Sequence, residues 1–502
     1  MIRFFTVLFF TIFICARADA GSKSPKREFR GAWIATITNI DWPSDKNLSS
    51  FEQINELKEI FSNLKLAGIN AVFFQIRTEC DAFYQSMYEP WSYWLTGKQG
   101  RAPFPFYDPL ELAISEAHKY GMELHAWLNP FRVSRNGKYD SIAENHIAIK
   151  HPDWILDFGK YKMLNPGLPE VRNYLKQIVT DIVQRYDVDG ITFDDYFYPY
   201  EPLISGQDFS TFRIYGSGFS NIKDWRRNNI NVLISEINTV IKSVKPWVKF
   251  GISPFGIVKN KYAGTRGLDS YSTIYSDPLS WINSASIDYV IPQLYWEIGK
   301  KSADYSKLLS WWAEICNNTH LFIGHYATRM SDPLYGGLKS ELSNQIRLNR
   351  KTKNVMGSAF FSAGSIVKNS SGFADTLRNS FYRSKALLPR IISLDTIASL
   401  PPVNPVIEQS NKNYIIRWDS SGPAEDGELP RYFILYFFRS EEKIDLENPE
   451  TIIDIIPSGQ NSYKIDSSEI GDDNFIIAIT SADRNWNESL PVILRSEESI
   501  LQ

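Results

Sequence analysis

Two adjacent carboxylates stand at the end of a short strand-like stretch near the middle of the chain. Asp194 and Asp195 follow residues 190–193, and Tyr196 and Tyr198 come directly after them. Because successive side chains of a strand point to opposite faces, Asp194 lies opposite the apolar side chains of that stretch. A strand that ends in an inward carboxylate is a common way for a parallel α/β barrel to build an active site. The alternative role, an acid that caps the next helix, accounts poorly for two carboxylates followed by aromatic rings.

Four other strand-like stretches also carry one polar row opposite one apolar row. An ordinary barrel interior is filled with branched apolar side chains, so polar rows that converge on one mouth predict a functional site. The four further polar rows are Gln75, Arg77 and Glu79; His125, Trp127 and Asn129; Gly251 and Ser253; and Gln293, Tyr295 and Glu297.

The residue types in these rows favour carbohydrate chemistry. The sequence has no glycine-rich phosphate loop after a strand, no Gly-x-Ser-x-Gly motif, and no histidine–carboxylate group with metal spacing. His125 and His325 lie on different predicted strands and could meet, but hydrogen bonding suits them better than metal ligation. Carboxylates cleave glycosidic bonds, aromatic rings stack on sugars, and amide and guanidinium groups bind hydroxyls. We therefore expect a carbohydrate site with no metal and no cofactor.

In a glycosidase, two carboxyl groups have different catalytic roles. Asp194 is predicted to act as nucleophile or electrostatic stabiliser, because its place on the strand turns it inward. Glu297 is predicted to act as general acid, with a pKa raised beside Trp296 and Tyr295.

Asp195 and Glu79 are further catalytic candidates. Each has an alternative role: Asp195 orients Asp194 or an arginine, and Glu79 forms a structural salt bridge with Arg77. The predicted substrate-binding residues are Arg77, Asp81, His125, Trp127, Asn129, Arg132, Asn165, Tyr196, Tyr198, Ser253, Gln293, Tyr295 and Trp296.

Strand-like and helix-like stretches alternate over residues 21–388 and predict a (β/α)8 TIM barrel. The predicted strands are residues 30–38, 70–79, 122–129, 190–195, 249–255, 288–296, 320–327 and 355–362. The predicted helices are residues 51–67, 109–120, 170–188, 222–244, 278–286, 305–317, 338–351 and 373–387.

The residues after 388 show a different sequence pattern. Prolines mark residues 389–405 as a linker, and short strand-like stretches follow at residues 414–418, 431–438, 451–456 and 474–480. Their number and spacing resemble an all-β fibronectin type III-like sandwich over residues 406–502, with Trp418 in its core. The linker predicts that the barrel folds without this domain.

The first twenty residues predict a secretory signal peptide. Arg3 precedes an apolar run over residues 4–14 that is too short to span a bilayer, and Ala18 and Ala20 form a small-x-small cleavage site. Cys15 suits a lipoprotein signal less well, because a large isoleucine precedes it. We expect a periplasmic or secreted protein with no membrane span. The formal net charge of −3 over 502 residues gives no excess of positive charge that would favour binding to nucleic acid.

Several longer motifs together resemble the glycosyl-hydrolase-like family ten, which has a YngK-type domain. The motifs lie at residues 27–34, 75–77, 89–92, 95–97, 125–130, 189–196, 253–256 and 292–296, and their sequences are REFRGAWI, QIR, EPWS, LTG, HAWLNP, DGITFDDY, SPFG and PQLYW. Lys259 stands where the family pattern leads us to expect arginine. The resemblance covers the barrel and implies a TIM barrel and an exported bacterial glycosidase acting on a polysaccharide, with cell-wall glycan as one candidate.

Two other functions remain as alternatives. One is a non-catalytic carbohydrate-binding protein on a degenerate glycosidase barrel, since a barrel can lose catalysis and keep its cleft. The other is a metal-dependent sugar deacetylase, which would need a cluster of histidine and aspartate that the sequence does not offer.

Overall fold

The computed structural model describes residues 24–135, 142–200, 205–331, 339–410, 413–440, 442–466, 468 and 474–496. The predicted signal peptide, with Cys15, lies outside the described residues. Cys80 and Cys316 are buried and form no disulfide with each other.

Eight parallel strands of the described chain close into a barrel, so the predicted barrel is confirmed. Its order is β1-β2-β3-β7-β8-β9-β10-β11, with β11 pairing back to β1, while β4, β5 and β6 form a small antiparallel sheet beside it. The eleven strands are β1 (Phe29–Ile34), β2 (Ala71–Arg77), β3 (Glu123–Leu128), β4 (Arg132–Ser134), β5 (Ile155–Phe158), β6 (Tyr161–Leu164), β7 (Gly190–Phe193), β8 (Lys249–Ile252), β9 (Tyr289–Val290), β10 (His320–Tyr326) and β11 (Val355–Phe361).

The helices begin where the sequence supplies caps. Ser49 and Glu52 form a capping box for α1, and Asp108 accepts from two backbone amides at the start of α3. None of the described helices is both long and apolar enough to span a bilayer. The described helices are α1 (Ser50–Leu66), α2 (Tyr93–Thr96), α3 (Pro109–Lys119), α4 (Ile147–Lys150), α5 (Pro169–Arg185), α6 (Phe209–Tyr215), α7 (Ile222–Val244), α8 (Asn260–Ala263), α9 (Ser270–Thr273), α10 (Pro278–Asn283), α11 (Tyr305–Ile315), α12 (Lys339–Lys351), α13 (Ala363–Val367) and α14 (Phe373–Thr376).

The predicted last helix over residues 373–387 is wrong in its second half. Helix α14 continues only as a π-helical turn to Phe381. The chain then turns extended: Arg30 donates to the Ser384 carbonyl, and Leu387 pairs with Arg27 at the start of the barrel. These tertiary contacts override the local helical pattern.

Two antiparallel sheets follow the barrel. The order of one is β12-β13-β16 and of the other β15-β14-β17-β18, and Trp418 is buried between them as predicted, 5.4 Å from the ring of Phe433. The sequence pattern missed β12, β16 and β18, and β12 begins inside the predicted linker. The strands are β12 (Val403–Ser410), β13 (Asn413–Asp419), β14 (Tyr432–Arg439), β15 (Ile452–Pro457), β16 (Ser462–Asp466), β17 (Phe475–Ala482) and β18 (Val492–Arg495).

This C-terminal domain covers the N-terminal end of the barrel. Trp486 is buried there, and its indole Nε1 donates to Glu123 Oε1 at 2.7 Å, at the first residue of β3. At the rim of the contact, Arg431 and Arg484 both form ion pairs with Asp187. One apolar cluster joins the two domains and includes Phe29, Ala71, Phe73, Tyr289 and Phe322 of the barrel with Tyr432, Ile434, Tyr436, Ile476, Ala478 and Trp486.

Candidate active site

A cleft with a cavity volume of about 300 Å³ opens at the C-terminal mouth of the barrel. This is the face on which TIM barrels carry their active sites. Asp194 and Asp195 are the two carboxylates among the described residues that line it. The lining residues are Trp33, Ala35, Ile37, Ile40, Gln75, Trp127, Arg132, Arg135, Asp194, Asp195, Tyr196, Ser253, Gln293, Tyr295, Tyr326 and Phe361.

Asp194 is held in one orientation by two donor side chains from strand β3 and its extension. It follows the last residue of β7, and Trp127 Nε1 donates to its Oδ2 at 3.1 Å. The Asn129 amide donates to both carboxylate oxygens, at 3.0 and 3.1 Å. The backbone amide of Arg132 in turn donates to Asn129 Oδ1 at 2.8 Å and fixes the amide orientation. Burial raises the pKa of Asp194, while Arg132 and these donors act against the rise.

Asp195 has a different environment. Its pKa is raised to about 7, first by burial and then by the neighbouring charge of Asp194. The Tyr200 hydroxyl donates to its Oδ2, and Tyr200 and the Gln293 side chain both act to lower this pKa against the rise. Arg132 acts on Asp194 and not on Asp195 among the groups that shift these pKa values. Asp195 therefore takes up a proton near neutral pH, whereas Arg132, Trp127 and Asn129 favour the ionised form of Asp194.

Arg132 presents a cation to the cleft. Its side chain is 3% exposed, and its guanidinium carbon lies 5.0 Å from the ring centroid of Tyr196. Nε donates to the Thr78 carbonyl at 3.1 Å, which leaves the two terminal nitrogens with no hydrogen-bond partner among the described residues. A ligand hydroxyl or carboxylate can fill that position.

Aromatic rings form the walls of the cleft. Trp33 packs edge-on against Trp127, with ring centroids 5.0 Å apart. Near the ends of β9, β10 and β11, Tyr295 stacks on Tyr326 at 5.2 Å, and Phe361 extends the same stack. Such flat apolar surfaces beside carboxylates suit the faces of sugar rings.

Eight of the residues predicted from the sequence meet at this cleft. They share positions at or just beyond the C-terminal ends of barrel strands. They are Asp194, Asp195, Trp127, Arg132, Tyr196, Ser253, Gln293 and Tyr295.

Glu297, predicted as the general acid, lies outside the cleft. Together with Trp296 it lines a neighbouring recess. Its carboxylate pairs with Lys300 and Arg329, each at 2.9 Å. Partial burial acts to raise the pKa of Glu297, but these cations prevail and the pKa is lowered, so the predicted upward shift is wrong. Regular pairing in β9 ends at Val290, so strand alternation no longer determines where Glu297 points.

Arg77 does not face the cleft either. A register shift after Gln75 places Arg77 opposite Leu128, whose side chain packs in the outer layer. The guanidinium forms a fully buried ion pair with Glu89 at 2.7 Å. The predicted partner was Glu79, so that pairing is wrong. A bulge in a strand changes which face every later side chain occupies, and the sequence pattern gave no sign of it.

Glu79 and Asp81 brace the loop after β2. Glu79 accepts from Trp94 Nε1 at 3.0 Å and from the backbone amide of Arg135 at 2.8 Å. Asp81 accepts from the Thr78 hydroxyl at 2.6 Å. Burial raises the pKa of Glu79, but neither carboxylate lines the cleft. Glu79 therefore positions Arg135, which does line it.

The two histidines do not meet. His125 lies inside the barrel, where its ring nitrogens hydrogen-bond Tyr289 at 2.7 Å and Glu123 at 3.0 Å. His325 faces outward, and its Nδ1 hydrogen-bonds Gln345 at 2.9 Å. Neither lines the cleft, so the substrate-binding role predicted for His125 is not supported by its position.

The remaining predicted residues are engaged behind the cleft. Asn129 uses its amide to hold Asp194, as described above. Asn165 donates to Thr211 at 2.8 Å, and Tyr198 is fully buried against Tyr275. Their polar atoms are committed to the fold and do not line the cleft.

Eight cleft residues were not among the predicted site residues: Trp33, Ala35, Ile37, Ile40, Gln75, Arg135, Tyr326 and Phe361. Alternation along the first, seventh and eighth strands would have placed Trp33, Tyr326 and Phe361 inward, had it been applied there. Gln75 stood on a polar row but was given no role. Arg135 follows the three-residue strand β4, which is too short to show a periodicity.

Comparison with known proteins establishes the family of this chain. Residues 28–336 match the family described as Glycosyl hydrolase-like 10. This chain belongs to that family. Glycosyl hydrolase YngK of Bacillus subtilis (strain 168) is 38% identical to this chain. The alignment, 506 residues long, covers 97% of each protein. Glycosyl hydrolase DigH of Escherichia coli (strain K12) is 37% identical over 378 residues, 68% of this chain and 86% of that protein.

Among solved structures, the glycoside hydrolase domain of PgaB (BpsB) from Bordetella bronchiseptica aligns with a TM-score of 0.46 and 12% sequence identity. The alignment covers 70% of this chain and 98% of that domain. The Glycosyl hydrolase-like 10 match spans the strands that carry Asp194 and Asp195, whereas the C-terminal sheets lie beyond it.

The Arg132→Gln variant should weaken substrate binding and move the acid limb of the pH profile. The lost hydrogen bonds from a charged donor should raise KM about tenfold or more. The pKa of Asp194 should rise further without the cation, so the acid limb of kcat/KM should shift to higher pH. Arg132→Lys should restore the position of the acid limb, because lysine keeps the positive charge. It should not restore the full affinity for substrate, because lysine lacks the planar guanidinium that can donate two hydrogen bonds side by side. Unchanged KM and pH profile, equal to those of the surface control Arg417→Gln, would contradict this role.

Proposed function

We propose that this protein is a glycoside hydrolase that cleaves glycosidic bonds in a polysaccharide, with Asp194 and Asp195 as its catalytic carboxyls. The observation that carries the proposal is that both line the aromatic-lined cleft, where the pKa of Asp195 is raised to about 7 and Arg132 favours the ionised form of Asp194. Carboxyl pairs held in opposite protonation states are the usual basis of glycosidic cleavage.

The two carboxyls take different roles. Asp195, with a pKa of about 7, is the general acid: its proton passes to the glycosidic oxygen as the bond to the anomeric carbon breaks. Asp194, whose ionised form is favoured by Trp127, Asn129 and Arg132, stabilises the positive charge that develops on the sugar or attacks it as nucleophile. Asp195, now a carboxylate, then accepts a proton from water as the water oxygen bonds to the anomeric carbon; if Asp194 has bonded to that carbon, this attack displaces it as a carboxylate.

The substrate we propose is a polymer met outside the cytoplasm, and bacterial cell-wall glycan is the class to test first. Rings on two sides of the cleft would hold sugar faces, and Arg132 and Arg135 would bind hydroxyl or carboxylate substituents. Purified protein should release new reducing ends from peptide-free wall glycan or from one member of a panel of neutral polysaccharides. Mass spectrometry of the products would identify the bond. No product from any glycan would exclude hydrolysis.

A second candidate is a carbohydrate-binding protein without catalysis, because the same cleft would hold a sugar with either function. The two functions predict different products: a binding protein would retain glycan in a pull-down and release no reducing ends. A metal-dependent deacetylase is a weaker candidate, since no histidine is among the described residues that line the cleft.

The mature protein is expected to begin at Gly21, outside the cytoplasm. The apolar run before Ala18 and Ala20 is the feature that supports export. N-terminal sequencing of protein recovered from the periplasm or medium measures the cleavage point. A lipid-modified Cys15 at the new terminus would instead indicate a lipoprotein.

We also infer that the C-terminal sheets form a fibronectin type III-like sandwich. Three strands in one sheet, four in the other, and Trp418 between them support this interpretation.

A further inference from the structure

Three carboxylates from two distant parts of the chain converge at the edge of the C-terminal domain. Asp395 lies in the segment that leaves the barrel, and Asp426 and Glu428 lie in the turn between β13 and β14. One oxygen from each carboxylate lies within 4.8 Å of the other two. Among the described ion pairs, the nearby guanidinium of Arg484 is directed to Asp187 rather than to these acids. Three like charges at this separation repel one another unless a cation lies between them.

A buried amide beside the carboxylates has no hydrogen-bond partner in the part of the chain that the structure describes. Asn485 is 1% exposed and lines the same cavity as Asp395, Asp426 and Glu428. Among the described residues, neither its side-chain oxygen nor its side-chain nitrogen has a hydrogen-bond partner, and Glu428 Oε2 is likewise buried without one. Buried polar atoms are nearly always satisfied, so unpartnered atoms that flank an acidic group indicate a missing ligand.

We propose that Asp395, Asp426, Glu428 and the amide oxygen of Asn485 bind a divalent cation, with Ca²⁺ as the matching ion. The available donors are all oxygen, which hard cations prefer. Two oxygens that each lie 2.3–2.6 Å from a calcium ion are at most about 5 Å apart, and the observed limit of 4.8 Å meets that condition. Calcium also tolerates an irregular site completed by water, whereas Mg²⁺ requires near-octahedral geometry.

The cation would fasten the segment that leaves the barrel to the domain that closes it. Asp395 Oδ2 accepts from Asn487 at 2.6 Å and Oδ1 accepts from the backbone amide of Ile397 at 2.9 Å, and a carboxylate oxygen with one such bond keeps a lone pair for an ion. The site is separate from the catalytic cleft, at the opposite end of the barrel. Its role is therefore stability of the domain junction, independent of the proposed hydrolysis.

Calcium titration of the full-length protein tests the site. Calorimetry with CaCl₂ should show one saturable site with a Kd on the order of 0.1–1 mM, typical of extracellular modules. The Tm should rise by a few degrees at about 10 mM CaCl₂ and fall back with chelator. Glu428→Gln and Asp426→Asn should each weaken binding about tenfold or more, because affinity follows the number of charged ligands. Asn485→Ala should weaken binding with no change of charge.

Two comparisons separate a cation site from simple screening of charge. The control Glu425→Gln removes one negative charge from the same exposed turn and should bind Ca²⁺ like the parent. In chelator, Glu428→Gln should melt at or above the parental temperature, because it removes repulsion; a melting point below the parent would mean that Glu428 stabilises the fold without a cation. The proposal fails if no saturable binding occurs, if Glu425→Gln loses as much affinity as Glu428→Gln, or if Mg²⁺ raises Tm as much as Ca²⁺.

Discussion

Asp195→Asn should lower kcat on the order of a hundredfold or more near neutral pH, and Asp194→Asn should cost at least as much. Each change keeps the size of the side chain and most of its hydrogen bonds, so the fold should survive. Asparagine at 195 cannot deliver a proton to the leaving oxygen, and asparagine at 194 cannot offer negative charge to the sugar. Initial rates on the glycan that the parent cleaves, with circular dichroism as a check on folding, provide the measurement.

The pH profile distinguishes the two roles. Asp195 must be protonated to act, so activity should be full below its pKa of about 7 and should fall as the pH rises through that value. Asp194 must be ionised, so activity should fall as the pH drops through a pKa raised above the ordinary aspartate value. The resulting bell should lose its alkaline limb in Asp195→Asn. The double variant should be little worse than the poorer single variant, because the carboxyls act as a unit.

Glu297→Gln is the matched control, since it makes the same chemical change at the other predicted acid. Its carboxylate is paired with Lys300 and Arg329 beside the cleft, so the variant should keep most of its activity. If Glu297→Gln is inactive while Asp195→Asn is not, the acid lies across the mouth as the sequence suggested, and the assignment to Asp195 is wrong.

Strand alternation predicted the direction of some of these side chains correctly and failed for others. It placed Asp194 and Trp127 correctly because β7 and β3 are regular up to the last residue before the cleft. It misplaced Glu297 because β9 stops well before that residue, and Arg77 because β2 shifts register. Alternation is a property of the hydrogen-bonded ladder, and loop packing decides the direction of a side chain beyond it.

The barrel itself could be predicted because its helices and strands carry local signals, whereas the contact between the domains depends on distant surfaces. A local signal for that contact does exist in β14. The run Tyr432–Arg439 is apolar at almost every position, which a strand with one solvent-facing side does not need. Its odd positions, such as Phe433 and Leu435, enter the core between the sheets, and its even positions, such as Ile434 and Tyr436, pack on the barrel.

That arrangement argues against the independent folding that the prolines of the linker predicted. A chain ending at Leu388 should be insoluble or strongly destabilised, because it would expose the apolar N-terminal end of the barrel. Aromatic residues such as Phe29 and Phe322 would lose the cover of Tyr432 and Trp486, and Glu123 would lose the indole donor that now meets it. Buried apolar surface returned to water costs roughly 25 cal/mol per Å². Soluble yield and urea unfolding of the two chain lengths measure the effect.

A single substitution tests the same contact with both domains present. Trp486→Ala should lower the free energy of unfolding by about 3–5 kcal/mol, the usual cost of removing a buried tryptophan. Trp486 stacks on Tyr432 at 4.1 Å, so the change leaves both a cavity and an unpaired Glu123 oxygen. Leu429→Ala, at an exposed position of the same domain, should change stability little. A soluble barrel with parental Tm and activity after the truncation, together with an unaffected Trp486→Ala variant, would mean that the C-terminal domain only rests on a barrel that is stable without it.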